Sequence, residues 1–151
     1  MNPLSIDKKA SKGTILVVDD EVGPRESLRM ILKPLYEVHT ARGGEEALRF
    51  IQSKDIDVVT LDLSMPGLSG IEVLKEIKKL RPNTEVIVIT GYGTLKNAQE
   101  AIRFGAGDLI SKPFDVAEII SMVVKSLERR SYTLKIKSLV EHFQSLQNSK
   151  P

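Results

Sequence analysis

The sequence predicts an α/β fold in which helices cover a five-stranded parallel sheet. Short runs rich in β-branched residues alternate five times with segments of helical periodicity. The run at 86–89 is apolar throughout, which is typical of a central strand buried on both faces. Hydrophobic residues make up 41% of the 151 positions and charged residues 28%, so a single globular domain is expected rather than a disordered or fibrous chain.

The predicted strands are short β-branched or apolar runs that end at polar residues or turns. They cover residues 14–18, 36–40, 58–61, 85–90 and 108–110. The predicted helices are segments whose apolar residues recur every three or four positions, and Pro34 and Pro82 end two of them. They cover residues 22–32, a segment after Gly44 that includes 47–51, then 71–80, 95–104 and 115–130.

The chain divides into an N-terminal extension at 1–12, a domain at 13–130 and a tail at 131–151. Ser11 and Gly13 interrupt the sequence after the first lysines, so neither a signal peptide nor a membrane span is expected. The absence of cysteine excludes disulfides, thiolate metal sites and cysteine nucleophiles, and it suits a reducing compartment. We therefore expect a cytoplasmic protein.

The tail has an apolar stripe of its own. Its residues recur at spacings of four and three positions: Tyr132, Ile136, Leu139, Phe143 and Leu146. This stripe is out of phase with the apolar residues of the preceding helix, which predicts a break, bend or phase shift at 131–133. Two interpretations stay open: the tail packs on its own domain or frays, or it is a parallel helical linker that dimerises two copies or leads to an output domain beyond these residues.

Polar side chains stand at the ends of the predicted strands. Asp19 and Asp20 end the first strand and Asp62 ends the third. Thr90 ends the fourth, and Lys112 follows the fifth. In open α/β sheets, ligands bind beyond the carboxyl ends of the strands, where the direction of winding reverses. One crevice is therefore expected to receive all five side chains.

The three carboxylates predict a magnesium site that handles phosphate. Clustered carboxylates repel one another unless a pKa rises or a hard divalent cation neutralises them. Without a histidine in the set, magnesium is favoured over zinc. An aspartate carboxylate can attack phosphorus to form an aspartyl phosphate, and Asp62 is the best-placed candidate. Lys112 as a point charge and Thr90 as a hydroxyl donor would each hold one phosphoryl oxygen.

Four stretches of sequence contain these residues. They are Val-Val-Asp-Asp-Glu at 17–21, Leu-Asp-Leu-Ser-Met-Pro-Gly-Leu-Ser-Gly at 61–70, Val-Ile-Thr-Gly-Tyr-Gly at 88–93 and Lys-Pro-Phe at 112–114. In order and spacing they resemble the receiver family of two-component systems, over about 13–130. The resemblance implies a flavodoxin-like, doubly wound five-stranded parallel sheet of order 2-1-3-4-5 with helices on both faces. The tail adds a C-terminal helical extension.

The resemblance also implies a role for each acid. Asp62 matches the phosphoacceptor, and Asp19 and Asp20 match the acid pair. Asp20 and Asp62 would bind Mg²⁺ directly, and the backbone carbonyl of Ser64 would join the metal shell. Magnesium is thus the expected cofactor, and phosphorylation-dependent signalling is the expected function.

Further roles and partners follow from the same resemblance. Thr90 matches the hydroxyl that moves toward the phosphate, and Lys112 matches the family's cation, whose bond to Pro113 is usually cis. The phosphoryl group would come from a histidine kinase, a phosphotransfer protein or a small phosphodonor. The domain would catalyse only its own phosphorylation and dephosphorylation, as a switch rather than an enzyme. No glycine-rich nucleotide motif is present, so no organic cofactor is expected.

One position departs from the family pattern. Leu109 stands three residues before the site lysine, where the family often has a tyrosine or phenylalanine ring that turns inward on activation. Because ring reorientation is excluded here, coupling through Thr90 and the following loop at 91–93 is expected instead. Tyr92 and Ser64 resemble positions that tune the lifetime of the acyl phosphate by gating water.

Two other functions remain as alternatives. One is a phosphohydrolase with an aspartate nucleophile, although such enzymes commonly have a second acid two residues later, where this chain has Ser64. The other is a dimerisation module that is not phosphorylated. The tail is only modestly basic and no helix-turn-helix follows, so direct contact with nucleic acid is not expected. His39 and His142 are expected in structural or surface roles.

Overall fold

The computed structural model describes residues 13–65, 69–91 and 95–149, without the side chains of residues 95 and 96. Its strands are β1 Thr14–Val18, β2 Glu37–Ala41, β3 Val58–Asp62, β4 Glu85–Thr90 and β5 Asp108–Ser111. Its helices are α1 Val22–Leu32, α2 Gly44–Ser53, α3 Gly70–Leu80, α4 Leu95–Arg103 and α5 Val116–Asn148. The predicted elements are confirmed, and their bounds shift by a few residues except in α5.

All neighbouring strands pair in parallel, in the order β2-β1-β3-β4-β5. This is the predicted order of a doubly wound sheet. Its reversal lies between β1 and β3, because the chain winds from β1 to β2 on one side and returns to β3 on the other. The carboxyl ends of both strands therefore flank one crevice, which is where such folds bind ligands.

Two apolar layers enclose the sheet. Side chains alternate along each strand, so Ile15 and Val17 face one layer while Leu16 and Val18 face the other. Helices α1 and α5 cover the first layer, and α2, α3 and α4 cover the second. Strand β4 is buried on both faces from its second residue onward, as its apolar run predicts.

The predicted end of the last helix at 130 is wrong, and of the break, bend or phase shift predicted at 131–133, the break is excluded. Helix α5 runs without interruption from Val116 to Asn148. The chain has no glycine or proline between these residues, so nothing in the sequence stops the helix. Packing of the tail on its own domain is also wrong, because every residue at 131–149 is exposed. The predicted N-terminal extension at 1–12 lies outside the described residues.

Ion pairs attach α5 to the amino end of the sheet. Arg130 Nε lies 2.7 Å from Asp57 Oδ1, and Arg130 Nη1 donates to the carbonyl of Asn83 at 2.7 Å. Arg129 contacts Glu85 Oε1 at 2.7 Å. These contacts fix the point at which α5 leaves the domain.

Among the described residues, no helix combines the length and apolar composition that crossing a bilayer requires.

Gly70 brings the start of α3 against the backbone that follows Asp62. A Cβ at this position would lie 2.5 Å from the Cα of Leu63 and 3.1 Å from the carbonyl oxygen of Asp62. A backbone atom cannot yield as a flexible side chain can. The close approach of α3 therefore depends on the absence of a side chain at residue 70.

We predict that Gly70→Ala lowers the free energy of unfolding by about 1–3 kcal/mol, because the added methyl group overpacks the segment after Asp62. Urea denaturation followed by circular dichroism measures this change. Gly23→Ala is the matched control, because Gly23 lies in α1 with no atom within 4 Å of the added Cβ. The control should leave stability equal or higher, and equal stability of Gly70→Ala and wild type would contradict the prediction.

Candidate functional site

Four carboxylates gather at the carboxyl ends of β1 and β3. Asp19, Asp20, Glu21 and Asp62 each offer an oxygen, and these oxygens all lie within 4.8 Å of one another. Asp19 and Asp62 are only 2% exposed. The sheet produces this cluster because β1 and β3 are neighbours and run in the same direction.

Backbone amides orient two of these carboxylates. The Glu21 amide donates to Asp19 Oδ1 at 2.9 Å, and the Ser64 amide donates to Asp62 Oδ1 at 2.9 Å. In each case an aspartate accepts from the residue two positions later, which is the Asx-turn geometry. The Oδ1 atoms are thus held by the backbone, and the Oδ2 atoms face the rest of the site.

Lys112 reaches the cluster from the end of β5. Its Nζ lies 3.3 Å from Asp19 Oδ2 and 3.3 Å from Asp62 Oδ2. Its backbone amide donates to the carbonyl of Thr90 at 2.9 Å, so the ends of β4 and β5 are joined beside the site. The Lys112–Pro113 peptide bond is cis, as the resemblance implied.

The cluster shifts the pKa values of its own members. Burial raises the pKa of Asp19 above 3.8, and the charge of Asp62 adds to this rise, while the Glu21 amide and Lys112 oppose it. Burial lowers the pKa of Lys112, but Asp19 and Asp62 more than offset this, so that its pKa lies above 10.5. The lysine therefore stays charged, while burial and the charge of Asp62 disfavour ionisation of Asp19 beside it.

The donor set fits a magnesium ion. Of the four carboxylates, Asp19 and Asp62 pair with Lys112, and among the described residues no ion pair is formed by Asp20 or Glu21, so negative charge in the cluster is only partly offset. Asp20 Oδ1 is buried and has no hydrogen-bond partner among the described residues. An unpaired buried carboxylate oxygen is unfavourable unless a cation takes it up. Hard oxygen donors without histidine or cysteine match magnesium better than zinc.

The structure brings together most of the residues predicted from the sequence. Asp19, Asp20, Asp62 and Lys112 form one site. Thr90 is buried at the end of β4 and is joined to the backbone of Lys112.

Ser64 reaches Asp62 through its amide, while the role of its carbonyl as a metal ligand stays a prediction. Tyr92 lies outside the described residues, and Leu109 is a half-buried side chain packed on the core.

Glu21 is the site residue that sequence reasoning missed. It is exposed and is the N-cap residue of α1 rather than a strand-end residue, so a search limited to strand ends did not include it. The available signal was its place as the third acid in the Val-Val-Asp-Asp-Glu run. Neither histidine belongs to the cluster: His39 packs on Phe50 at 5.4 Å between ring centroids, and His142 is exposed on α5.

Comparison with known proteins identifies a single family. Residues 15–124 match the family described as response regulator receiver domain. The chain is 40% identical to sporulation initiation phosphotransferase F of Bacillus subtilis, over 78% of this chain and 95% of that protein. It is 37% identical to regulatory protein AtoC of Escherichia coli, over 83% of this chain but only 27% of that longer protein.

Solved structures agree with the sequence comparison. A CheY-like response regulator receiver domain protein from Methanospirillum hungatei superposes with a TM-score of 0.79 and 30% identity, covering 82% of this chain and 99% of that one. The relatives are thus of two kinds, one as short as this chain and one in which a similar domain forms part of a longer protein.

We predict that Asp19→Asn stabilises the metal-free protein by about 1 kcal/mol at neutral pH. Asparagine keeps an acceptor for the Glu21 amide but removes a charge that burial and Asp62 disfavour. Urea denaturation in the presence of a chelator measures the difference.

The sign follows from the raised pKa of Asp19. Ionisation of a group whose folded-state pKa is raised costs stability as pH rises above the unfolded value of 3.8. The gain should therefore shrink as the pH is lowered toward 3.8. Asp115→Asn is the control, since Asp115 is an exposed helix cap and asparagine caps equally well. A less stable Asp19→Asn at neutral pH would refute the prediction.

Proposed function

This chain belongs to the response regulator receiver domains of two-component systems, and we propose that it accepts a phosphoryl group on Asp62 with Mg²⁺ bound beside it. Receiver domains are signalling domains rather than classical enzymes. The observation that carries the proposal is the position of Asp62 at the end of β3, buried among three other acids and 3.3 Å from Lys112.

In the proposed step, an Oδ atom of Asp62 attacks the phosphorus of the donor. A new O–P bond forms, the bond between phosphorus and the donor breaks, and the donor's leaving atom keeps the electron pair. Asp62 Oδ2 faces the site and Lys112, whereas Oδ1 is engaged by the Ser64 amide. This difference favours Oδ2 as the attacking atom.

The remaining residues stabilise the charge of the phosphoryl group. Lys112 would move from the two carboxylates to a phosphoryl oxygen, and Thr90 would supply a hydroxyl to another. Asp19, Asp20, Asp62 and the Ser64 carbonyl would hold the magnesium ion, with Glu21 added to the acids that surround it. When bound, the ion supplies positive charge that offsets the negative charge of the acids and the incoming phosphoryl group. Hydrolysis of the acyl phosphate would return the domain to its unphosphorylated state.

The phosphoryl donor is proposed to be a histidine kinase or a phosphotransfer protein. The similarity to a protein named sporulation initiation phosphotransferase F supports transfer of a phosphoryl group as the reaction. The similarity to part of AtoC supports an output domain or a separate partner as the recipient of the signal. The cytoplasmic location expected from the sequence stays a prediction.

A phosphohydrolase is the second candidate, and the site favours it less. Position 64, two residues after Asp62, would have to supply a second acid, and it is a serine with an exposed side chain. Asp62 Oδ1 already accepts from the amide of this residue. A dimerisation module without phosphorylation would not need four acids kept together at a cost in stability.

We predict that wild-type protein incubated with Mg²⁺ and acetyl phosphate gains the mass of one phosphoryl group, and that Asp62→Asn gains none. Intact mass spectrometry provides the measurement. Asp115→Asn, which changes an exposed aspartate that caps α5, should keep the adduct. An adduct on Asp62→Asn would place the phosphoryl group elsewhere, and rapid turnover of phosphate esters by the wild type would favour the hydrolase.

We predict that Asp20→Asn weakens Mg²⁺ binding at least about tenfold, since even partners outside the ligand shell typically contribute that much. Isothermal titration calorimetry measures binding without any phosphodonor. Glu141→Gln removes an exposed acid on α5, far from the cluster in sequence, and should leave the affinity unchanged. Equal Mg²⁺ affinities for wild type and Asp20→Asn would show that the Asp20 carboxylate is not a metal ligand.

A further inference from the structure

The part of α5 beyond Arg130 carries apolar side chains that its own domain does not cover. Residues 131–148 add about 27 Å of helix, and all of them are exposed. Five of their side chains, called the seam from here on, are between 43% and 68% exposed: Tyr132, Ile136, Leu139, Phe143 and Leu146. A continuous apolar stripe of this kind marks an interaction surface.

The seam faces away from the domain. The residues of α5 that are buried against the domain are Ile119, Val123, Ser126 and Arg130. At about 100° of rotation per residue, the seam lies roughly 160–240° around the helix from Arg130. A second helix can therefore lie along the seam on the side opposite the domain that carries it.

We propose that the seam pairs with the seam of a second copy of this chain in a parallel two-stranded coiled coil. The seam residues are spaced four, three, four and three positions apart, so their average spacing is 3.5 residues. This spacing keeps an apolar stripe facing a partner helix in a coiled coil. Leu139 and Leu146 then occupy d positions, and Ile136 and Phe143 occupy a positions. A second copy offers the same stripe, so the two helices match layer by layer.

The residues beside the seam are compatible with the parallel direction. The residues at position e are uncharged: Thr133, Val140 and Gln147. Those at position g are Glu128, Lys135 and His142. In a parallel pair each g residue lies next to an e residue of the other chain, so no like charges meet.

The composition of residues 131–148, called the extension from here on, also favours a partner helix. Ser131, Thr133, Ile136, Ser138 and Val140 are all weaker helix formers than alanine or leucine. Isolated helices of this length are marginal in water even with better sequences. Apolar packing along the seam would supply stability that the extension lacks when it is alone.

The base of the extension is held in a way that suits pairing. Arg130 is 9% exposed in its side chain and is bound to Asp57 and Asn83, while Arg129 is bound to Glu85. These contacts orient α5 before any partner arrives. Both copies therefore present the seam in the same direction relative to their domains, as a two-fold symmetric contact requires.

Sedimentation equilibrium of the full chain, without phosphodonor or magnesium, tests the pairing. Because five layers make a small interface, we expect a dimer with a dissociation constant of about 1–100 µM. Leu139→Asp should raise this constant at least about tenfold, because it places a charge in the centre of the seam. Ser138→Asp is the matched control, one residue away at an exposed position outside the seam, and it should dimerise like the wild type.

A wild-type chain that stays monomeric up to about 500 µM overturns the proposal. The seam would then have to bind a helix of a different protein. Equal weakening by Ser138→Asp and Leu139→Asp would also overturn it, because the seam would then have no special role. Circular dichroism confirms that each variant keeps its fold. Since no phosphodonor is present, failure of this experiment leaves the proposal for Asp62 intact.

The direction of the pair is tested by cross-linking, because the chain has no cysteine of its own. Leu146→Cys places one thiol in a d layer, where a parallel dimer brings the two thiols together and an oxidant forms an interchain disulfide. Gln144→Cys, on the outer side, should not cross-link. A Leu146→Cys protein that dimerises without cross-linking would overturn the parallel arrangement.

Discussion

The gathering of four carboxylates, two of which pair with Lys112, is the constraint on which the site depends. Parallel pairing of β1 with β3 places Asp19 and Asp62 side by side, and burial denies them the water that would separate their charges. The Glu21 amide and Lys112 offset only part of the effect of burial and of the charge of Asp62, so the pKa of Asp19 stays raised. The site is therefore built to receive positive charge, and this requirement explains why it tolerates an unpaired oxygen on Asp20.

Much of this arrangement could be predicted from the sequence, because the carboxyl ends of parallel strands must meet. That rule placed Asp19, Asp62 and Lys112 together without any knowledge of distances. It could not find Glu21, which lies after the strand end and comes close to the other acids only through the turn that follows Asp19. Nor could it show that Asp62 Oδ1 is engaged by the Ser64 amide, because such contacts depend on local backbone angles.

The error at 131–133 has a different physical origin. A change in the phase of an apolar stripe reports which side of a helix is covered, and it does not report whether the backbone is broken. In α5 the cover by the domain ends at Arg130, while the hydrogen-bonded backbone continues to Asn148. The apolar residues before Arg130 pack in the core of the domain, whereas those after Arg130 are exposed.

Helix α5 therefore links the two ends of the molecule. It begins at Val116, shortly after Lys112, and Asp115 caps its start by accepting from the Glu118 amide at 2.7 Å. At the other end of the sheet, Arg130 is held by several partners before the helix continues into solvent. A tilt of α5 by about 10° would displace the far end of a 27 Å extension by about 5 Å. A tilt that began beside the site would thus produce a larger displacement at the exposed end of α5.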